Sequence, residues 1–193
     1  LIVRRGERGL SSAVLAGFHE ARFDRFVVMD ADLQHPPEMI PELLRRLDVE
    51  GCEFVVGSRY AAGGSVGGRW PVVRRLGSGL ATLPARGLVP VRDPLSGFFA
   101  VRREVWERAK DLSPIGYKIA LELMVKGNCR RVAEVPIRFA ERTAGASKLG
   151  FSETIRYLRH LRRLYGYRYP WVTLLGTLVA IAAVAAAVLF TLL

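Results

Sequence analysis

Two carboxylates stand two residues apart in the run Asp30-Ala31-Asp32-Leu33-Gln34-His35-Pro36-Pro37-Glu38. They follow Phe26-Val27-Val28-Met29, a short apolar stretch that reads as a buried parallel strand ending at Asp30. If strand geometry continues, alternate side chains point the same way, and Asp30, Asp32 and Gln34 form one row of oxygen donors. Hard oxygen donors suit Mg2+ or Mn2+, ions that keep some of their waters and also bind phosphate oxygens. An Asp-x-Asp pair alone is more often a solvated turn than a metal site; its place at a strand end, and the sequence around it, favour metal. His35 reads as a fourth ligand or a base, or, with two prolines after it, as a structural residue.

The elements that must position these groups alternate between strand and helix patterns. Leu10, Val14, Phe18 and Ala21 fall at helical spacing after Gly9. Pro36 and Pro37 sit where a helix can begin, and Ile40, Leu43, Leu44 and Leu47 continue its apolar face. Phe54-Val55-Val56 is a second buried strand, running into Gly57-Ser58-Arg59, and the Gly-rich stretch from Ala61 to Arg69 reads as a mobile loop. A helix is expected after Pro71, a strand over Phe98–Val101, and helices over Arg103–Lys110 and Ile119–Lys126. A strand over Arg131–Phe139 is interrupted by Pro136, and Thr143–Gly150 is a polar loop. Such alternation predicts an α/β sheet flanked by helices, with ligands at the carboxyl ends of the strands. Leu1-Ile2-Val3 reads as the tail of a strand entered from upstream.

The C-terminal part has a different composition. Phe151, Ile155, Leu158 and Tyr165 mark an amphipathic helix whose opposite face carries Arg156, Arg159, Arg162, Arg163 and Arg168 against the single acid Glu153. From Trp171 to Leu193 no charged residue occurs. As a helix this run is about 34 Å long, enough for a hydrocarbon core of about 30 Å. Tyr165, Tyr167, Tyr169 and Trp171 stand where an interfacial aromatic belt would lie, and the basic flank places the preceding domain on the cytoplasmic side of a lipid bilayer. The expected organisation is an α/β domain over 1–150, a basic interfacial helix over 151–169 and a transmembrane helix over 170–193. Over 193 residues the formal charge is +11, which invites polyanions, so a non-catalytic basic module is a competing reading. No nucleic-acid motif accompanies the charge, and anionic lipid accounts for it more simply. Cys52 and Cys129, far apart and without nearby histidines, support neither a disulfide scaffold nor a zinc site.

The run Val27–Glu38 resembles the aspartate motif of the family two glycosyltransferases that charge a polyprenyl phosphate, above all the dolichol-phosphate mannosyltransferases. The resemblance continues, in the family's order, through Gly57-Ser58-Arg59-Tyr60, Trp70-Pro71 with Arg74 and Ser78, and Asp93-Pro94-Leu95-Ser96-Gly97-Phe98-Phe99. It extends through Pro114-Ile115-Gly116-Tyr117-Lys118 and Glu134-Val135-Pro136 to Arg142 and Gly145-Ala146-Ser147-Lys148-Leu149. It implies a GT-A, Rossmann-like fold and an inverting transfer of mannose from GDP-mannose to a polyprenyl (dolichyl) phosphate. A UDP-glucose-dependent glucosyltransferase is the alternative within the same class. Family members open with a strand and loop that hold the nucleotide base and ribose. This chain shows no counterpart, so its GT-A domain is expected to be truncated at the N-terminus.

By the same resemblance, Asp30, Asp32 and Gln34 hold Mg2+ or Mn2+, and Asp32, Arg59 and Arg74 carry the catalysis. Arg59, Arg74 and Ser78 bind the acceptor phosphate, while Asp30, Arg142 and Lys148 contact the donor. Asp93 and Ser96 stand open between a direct catalytic role and closing a turn. Glu122, on an apolar helix, stands open between a base and a structural residue.

Overall fold

A strand buried on both faces needs a side chain compatible with burial at every position, and Phe54–Ser58 is buried throughout. The structure, a computed structural model, describes residues 2–4, 9–67, 79, 81–113, 118–140 and 151–172. In chain order the elements are α1 (Leu10–Glu20), β1 (Arg25–Val28), α2 (Ile40–Asp48), β2 (Phe54–Ser58), β3 (Ser65–Val66) and α3 (helical residues 81–86). There follow β4 (Phe99–Arg102), α4 (Arg103–Arg108), α5 (Ile119–Lys126), β5 (Val132–Pro136), β6 (Arg138–Phe139) and α6 (Phe151–Arg168).

The main sheet has the order β1-β4-β2-β5. β4 runs antiparallel to both neighbours, with Val28 and Val56 each opposite Phe99, and β5 runs parallel to β2. The expectation of a parallel β1 is therefore corrected. β1 and β2 do share a direction, but β4 lies between them and reverses the ladder. Alternation divides the sheet's side chains between two cores. Phe26, Phe54, Val56, Phe99 and Val101 pack with Phe18 of α1, Val105 of α4, Leu121 of α5 and Leu161 and Leu164 of α6. Val55, Phe98, Ala100 and Val135 pack on the other side with Leu43 and Leu47 of α2. The result is an α/β sheet covered on both faces.

Three further expectations change. Ile2 and Val3 belong to no strand; both are exposed, and Arg4 instead reaches Gly9 O and Ser12 Oγ. The stretch after Ala61 is not all loop, because β3 pairs in parallel with β6 and Ser65 N–H donates to Ile137 O. Of the apolar residues expected to mark one face of α6, Leu158 is exposed. The helix instead buries His160, Leu161 and Leu164 and half-buries Tyr157 and Tyr165, a stripe at helical spacing. Among the described residues no helix is long and apolar enough to cross a membrane. The apolar run 173–193 lies outside the described residues, as do Arg74, Ser78, Arg142 and Lys148.

The stacked pair Phe54–Phe99, with ring centres 4.9 Å apart, joins β2 to β4 in the larger core. Phe54→Ala in the full-length protein is expected to cost about 3–5 kcal/mol of stability. It would appear as a lower denaturant midpoint with an unchanged m-value.

Candidate active site

The sheet topology brings the motif residues together. β1 and β2 end on the same side of the sheet, and antiparallel β4 begins there. Asp30, Arg59 and the segment Asp93–Phe98 therefore converge although they are far apart in sequence. The approach is close. A Cβ on Gly97 would lie 2.8 Å from Asp30 Oδ2, so a larger residue at the turn into β4 would push that carboxylate aside.

Arg59 and Asp93 form the centre of this cluster. Arg59 Nε donates to Asp93 Oδ2 at 2.8 Å and a terminal guanidinium nitrogen donates to Oδ1 at 2.8 Å. The Arg59 backbone N–H adds a bond to Oδ2 at 3.0 Å. The Asp93 side chain is fully buried and Arg59 nearly so. Burial disfavours the guanidinium charge, but the bonds and charge of Asp93 outweigh it and hold Arg59 above its ordinary pKa. Its plane also lies 5.3 Å from the Tyr60 ring centre and 5.4 Å from that of Phe139. Asp93 is anchored in turn: Glu134 of β5 accepts the N–H groups of Arg92 at 2.9 Å and Asp93 at 3.0 Å.

The aspartate motif is not an extended row. β1 ends at Val28, and Leu33 has φ 61°, in the left-handed region. The chain turns there, and Asp32 Oδ1 accepts the Gln34 N–H at 3.2 Å. Gln34 is buried, donating its side-chain amide to Ala140 O at 3.0 Å and accepting the Ala140 N–H at 2.9 Å on its backbone carbonyl. Strand alternation therefore does not align the three side chains. The turn keeps Asp30 and Asp32 half-buried at the strand end, and Gln34 brackets Ala140, two residues before Arg142 in the chain. Among the described residues no three His, Cys, Asp or Glu side chains cluster as a metal site. Asp30 and Asp32 nonetheless fit a hard divalent cation that completes its shell with water and phosphate oxygens, and the bare Gly97 leaves the Asp30 carboxylate its room.

The remaining candidates separate by their contacts. His35 is buried beside the Phe98 and Phe139 rings, with centres 5.3 and 5.1 Å away. Burial pushes its pKa down to about 4, so the ring is neutral near pH 7. Ser96 Oγ donates to Gly57 O at 2.7 Å and accepts the Phe98 N–H at 3.2 Å, the geometry of a residue closing a turn. Asp93, likewise, serves through Arg59. Glu122 is buried away from this cluster, where it meets Lys126 at 2.7 Å and the Ser113 N–H at 2.9 Å and has His160 3.6 Å away. Burial would raise its pKa, yet these partners hold it low, an ionised group tying α5 to α6.

Two residues given no role by sequence reasoning join the cluster. Glu134 is the anchor already described. Lys118, at the N-cap of α5, places Nζ 3.5 Å from Leu95 O. Burial, reinforced by the charge of Arg59 and opposed by Asp93 and Asp30, lowers its pKa to about 7. Both stand inside matched motifs, but only the folded chain brings them to Asp30 and Asp93.

The profile described as Glycosyl transferase family 2 matches residues 1–109. A dolichol-phosphate mannosyltransferase of Pyrococcus furiosus is 49% identical over 168 residues, covering 85% of this chain and 47% of that relative. A dolichol-phosphate mannosyltransferase of Saccharomyces cerevisiae is 44% identical over 176 residues, covering 88% of this chain and 65% of its own length. The chain thus spans between about half and two thirds of these relatives. In fold it is similar to glucosyl-3-phosphoglycerate synthase from Mycobacterium tuberculosis, solved with Mn2+, uridine-diphosphate-glucose and phosphoglyceric acid. That match has a TM-score of 0.53 at 22% identity, over 87% of this chain and 56% of that one. The architecture is GT-A-like.

Asp93→Asn keeps the shape of the side chain but removes the charge facing the buried guanidinium. It is expected to destabilise the protein by about 3–5 kcal/mol, and much less when combined with Arg59→Gln. Thermal melts of the two single variants and the double variant measure this; additive effects would show that the pair does not organise the site.

Proposed function

The chain belongs to glycosyl transferase family 2, and from that premise we propose that it transfers mannose from GDP-mannose to a polyprenyl (dolichyl) phosphate, inverting the anomeric centre. The observation that most supports this reading is the 49% identity, over 168 residues, to a relative named for that activity. The matched stretch spans the cluster of Asp30, Arg59, Asp93 and Lys118.

The acceptor is a phosphate, already anionic near neutral pH, so it attacks the anomeric carbon without first losing a proton and no general base is needed. Its difficulty is repulsion from the donor diphosphate. Arg59 answers this with a guanidinium whose two Asp93 contacts use two of its five N–H donors, leaving others for phosphate oxygens. Arg74 and Ser78 complete the acceptor group in this reading. Arg142 and Lys148 follow Ala140, which Gln34 brackets to the aspartate motif, and they are assigned to the donor. Asp30 and Asp32, with Gln34, would hold Mg2+ or Mn2+, which supplies positive charge against the departing diphosphate. α6 would lie on the cytoplasmic bilayer surface, presenting exposed Leu158 and its arginines to anionic lipid, with 170–193 as the membrane anchor.

The test is a sugar-nucleotide panel on the full-length enzyme with radiolabelled donors and extraction of the lipid product. Label from GDP-mannose should enter the organic phase, and a chelator of divalent cations should stop it. Label arriving only from UDP-glucose would overturn the assignment of the sugar. The division of the site has its own readout. Loss of one charge-assisted hydrogen bond is worth about 1.5–3 kcal/mol, so Arg74→Ala should lower kcat/KM for polyprenyl phosphate roughly ten- to a hundredfold. Donor binding without lipid should hardly change in that variant, and Arg142→Ala should do the reverse. Equal loss of donor binding in both would mean that the two arginines clamp one diphosphate.

A further inference from the structure

Helix α6 and the residue that follows it meet α3 through a row of tyrosine hydroxyls. Tyr157 donates to Ala81 O at 2.6 Å, Tyr165 to Pro84 O at 2.7 Å and Tyr169 to Gly87 O at 3.1 Å. The three acceptors are spaced by three residues and run from α3 past its C-terminal end, where helix carbonyls lose their intrahelical partners. The fit around Tyr165 is tight, since a Cβ at Gly87 would strike its hydroxyl. α3 is itself tied to the candidate site. Arg86 Nε donates to Arg92 O at 2.9 Å, and its guanidinium lies 5.9 Å from the Tyr60 ring centre. The next residue after Arg92 is Asp93, the carboxylate that holds Arg59.

We propose that Tyr157, Tyr165 and Tyr169 are positioning residues that join α6 to the Arg59–Asp93 centre through α3 and Arg86, so that the arginine-bearing helix and the acceptor-binding groups form one body. The inference rests on the function proposed above and adds the part that sets the height of the site over the bilayer. A polyprenyl phosphate presents its headgroup at a fixed depth, because its chain stays in the hydrocarbon. A site that reads that headgroup must therefore keep a fixed offset from whatever rests on the lipid surface. Packing alone fixes the offset poorly, since apolar contacts are non-directional. Three hydroxyl bonds to backbone carbonyls three residues apart, two within the helices and one just past both, fix the axial register of α6 on α3. α6 is held to the domain independently by Leu161, Leu164 and the His160–Glu122 contact, so loss of the hydroxyls loosens the register without detaching the helix.

The test uses the full-length enzyme in vesicles containing polyprenyl phosphate and anionic lipid, with all three tyrosines changed to phenylalanine. KM for polyprenyl phosphate should rise about five- to twentyfold while donor affinity stays within about twofold, and amide exchange across residues 86–93 should accelerate several-fold. Unchanged acceptor KM and exchange would overturn the proposal. So would a parallel decline of donor and acceptor binding, the mark of a merely structural loss. Should the triple variant fail to fold, Tyr165→Phe and Arg86→Gln are combined in a double-mutant cycle on acceptor KM. Coupling supports the link, and strict additivity overturns it. A wild-type enzyme that transfers nothing to polyprenyl phosphate would sink the proposed function; the exchange of residues 86–93 then still decides whether the tyrosines hold that segment.

Discussion

A buried guanidinium facing a buried carboxylate is the constraint around which this domain is arranged. Neither Arg59 nor Asp93 is tolerable without the other, because an unpaired charge removed from water costs several kcal/mol. The bidentate geometry fixes orientation as well as distance. It ties the end of β2 to the loop that leads into β4, and Glu134 extends the tie to β5. Three separate pieces of chain are thereby held at one end of the sheet. The arrangement also explains why Asp93 touches Arg59 with both oxygens: what it sets is where the arginine's remaining donors point.

The sheet supplies the other half of that placement. Because β4 runs against β1 and β2, its beginning lies beside their ends. The glycine turn into β4 then passes under Asp30, and Ser96 bonds Gly57 across the same junction. In a fully parallel sheet the start of the middle strand would lie at the opposite edge. The reversed strand is thus a positioning device as well as a packing solution.

Sequence periodicity made most of this architecture readable. Helix Ile119–Lys126, the strand at Phe54 and the break at Pro136 all follow from local rules, as the burial of Leu43 and Leu47 follows from their four-residue spacing. The misreadings share a cause, which is that pairing partners are not local. Nothing near Phe26 reveals that an antiparallel strand more than seventy residues later will lie beside it, and nothing near Ser65 reveals Arg138. A hydropathy pattern misplaces the buried stripe of α6 because Leu158 and Leu161 look alike to it, whereas packing against α3 and α5 selects Leu161 and Leu164 and admits His160 for its contact with Glu122. The site shows the same division. Composition and resemblance point to Asp30, Asp32 and Arg59, but the turn at Leu33 and the arrival of Lys118 and Glu134 are tertiary facts.

Charge balance links the site to the surface that serves it. Among the described residues, Asp30, Asp32, Asp93 and Glu134 gather with Arg59 and Lys118, which leaves two negative charges in excess when all are ionised. By itself such an excess repels phosphate, so the two phosphate-bearing substrates proposed above would need further positive charge at the site. A divalent cation on Asp30 and Asp32 would offset that excess. A second set of positive charges lies away from this cluster. On α6 the exposed Arg159, Arg162 and Arg163 have no acids among their immediate neighbours in sequence, and water rather than protein surrounds them. Lipid attraction and substrate chemistry can therefore be carried by separate sets of charges: a solvated arginine face that salt can screen, and a part-buried cluster that salt screens less.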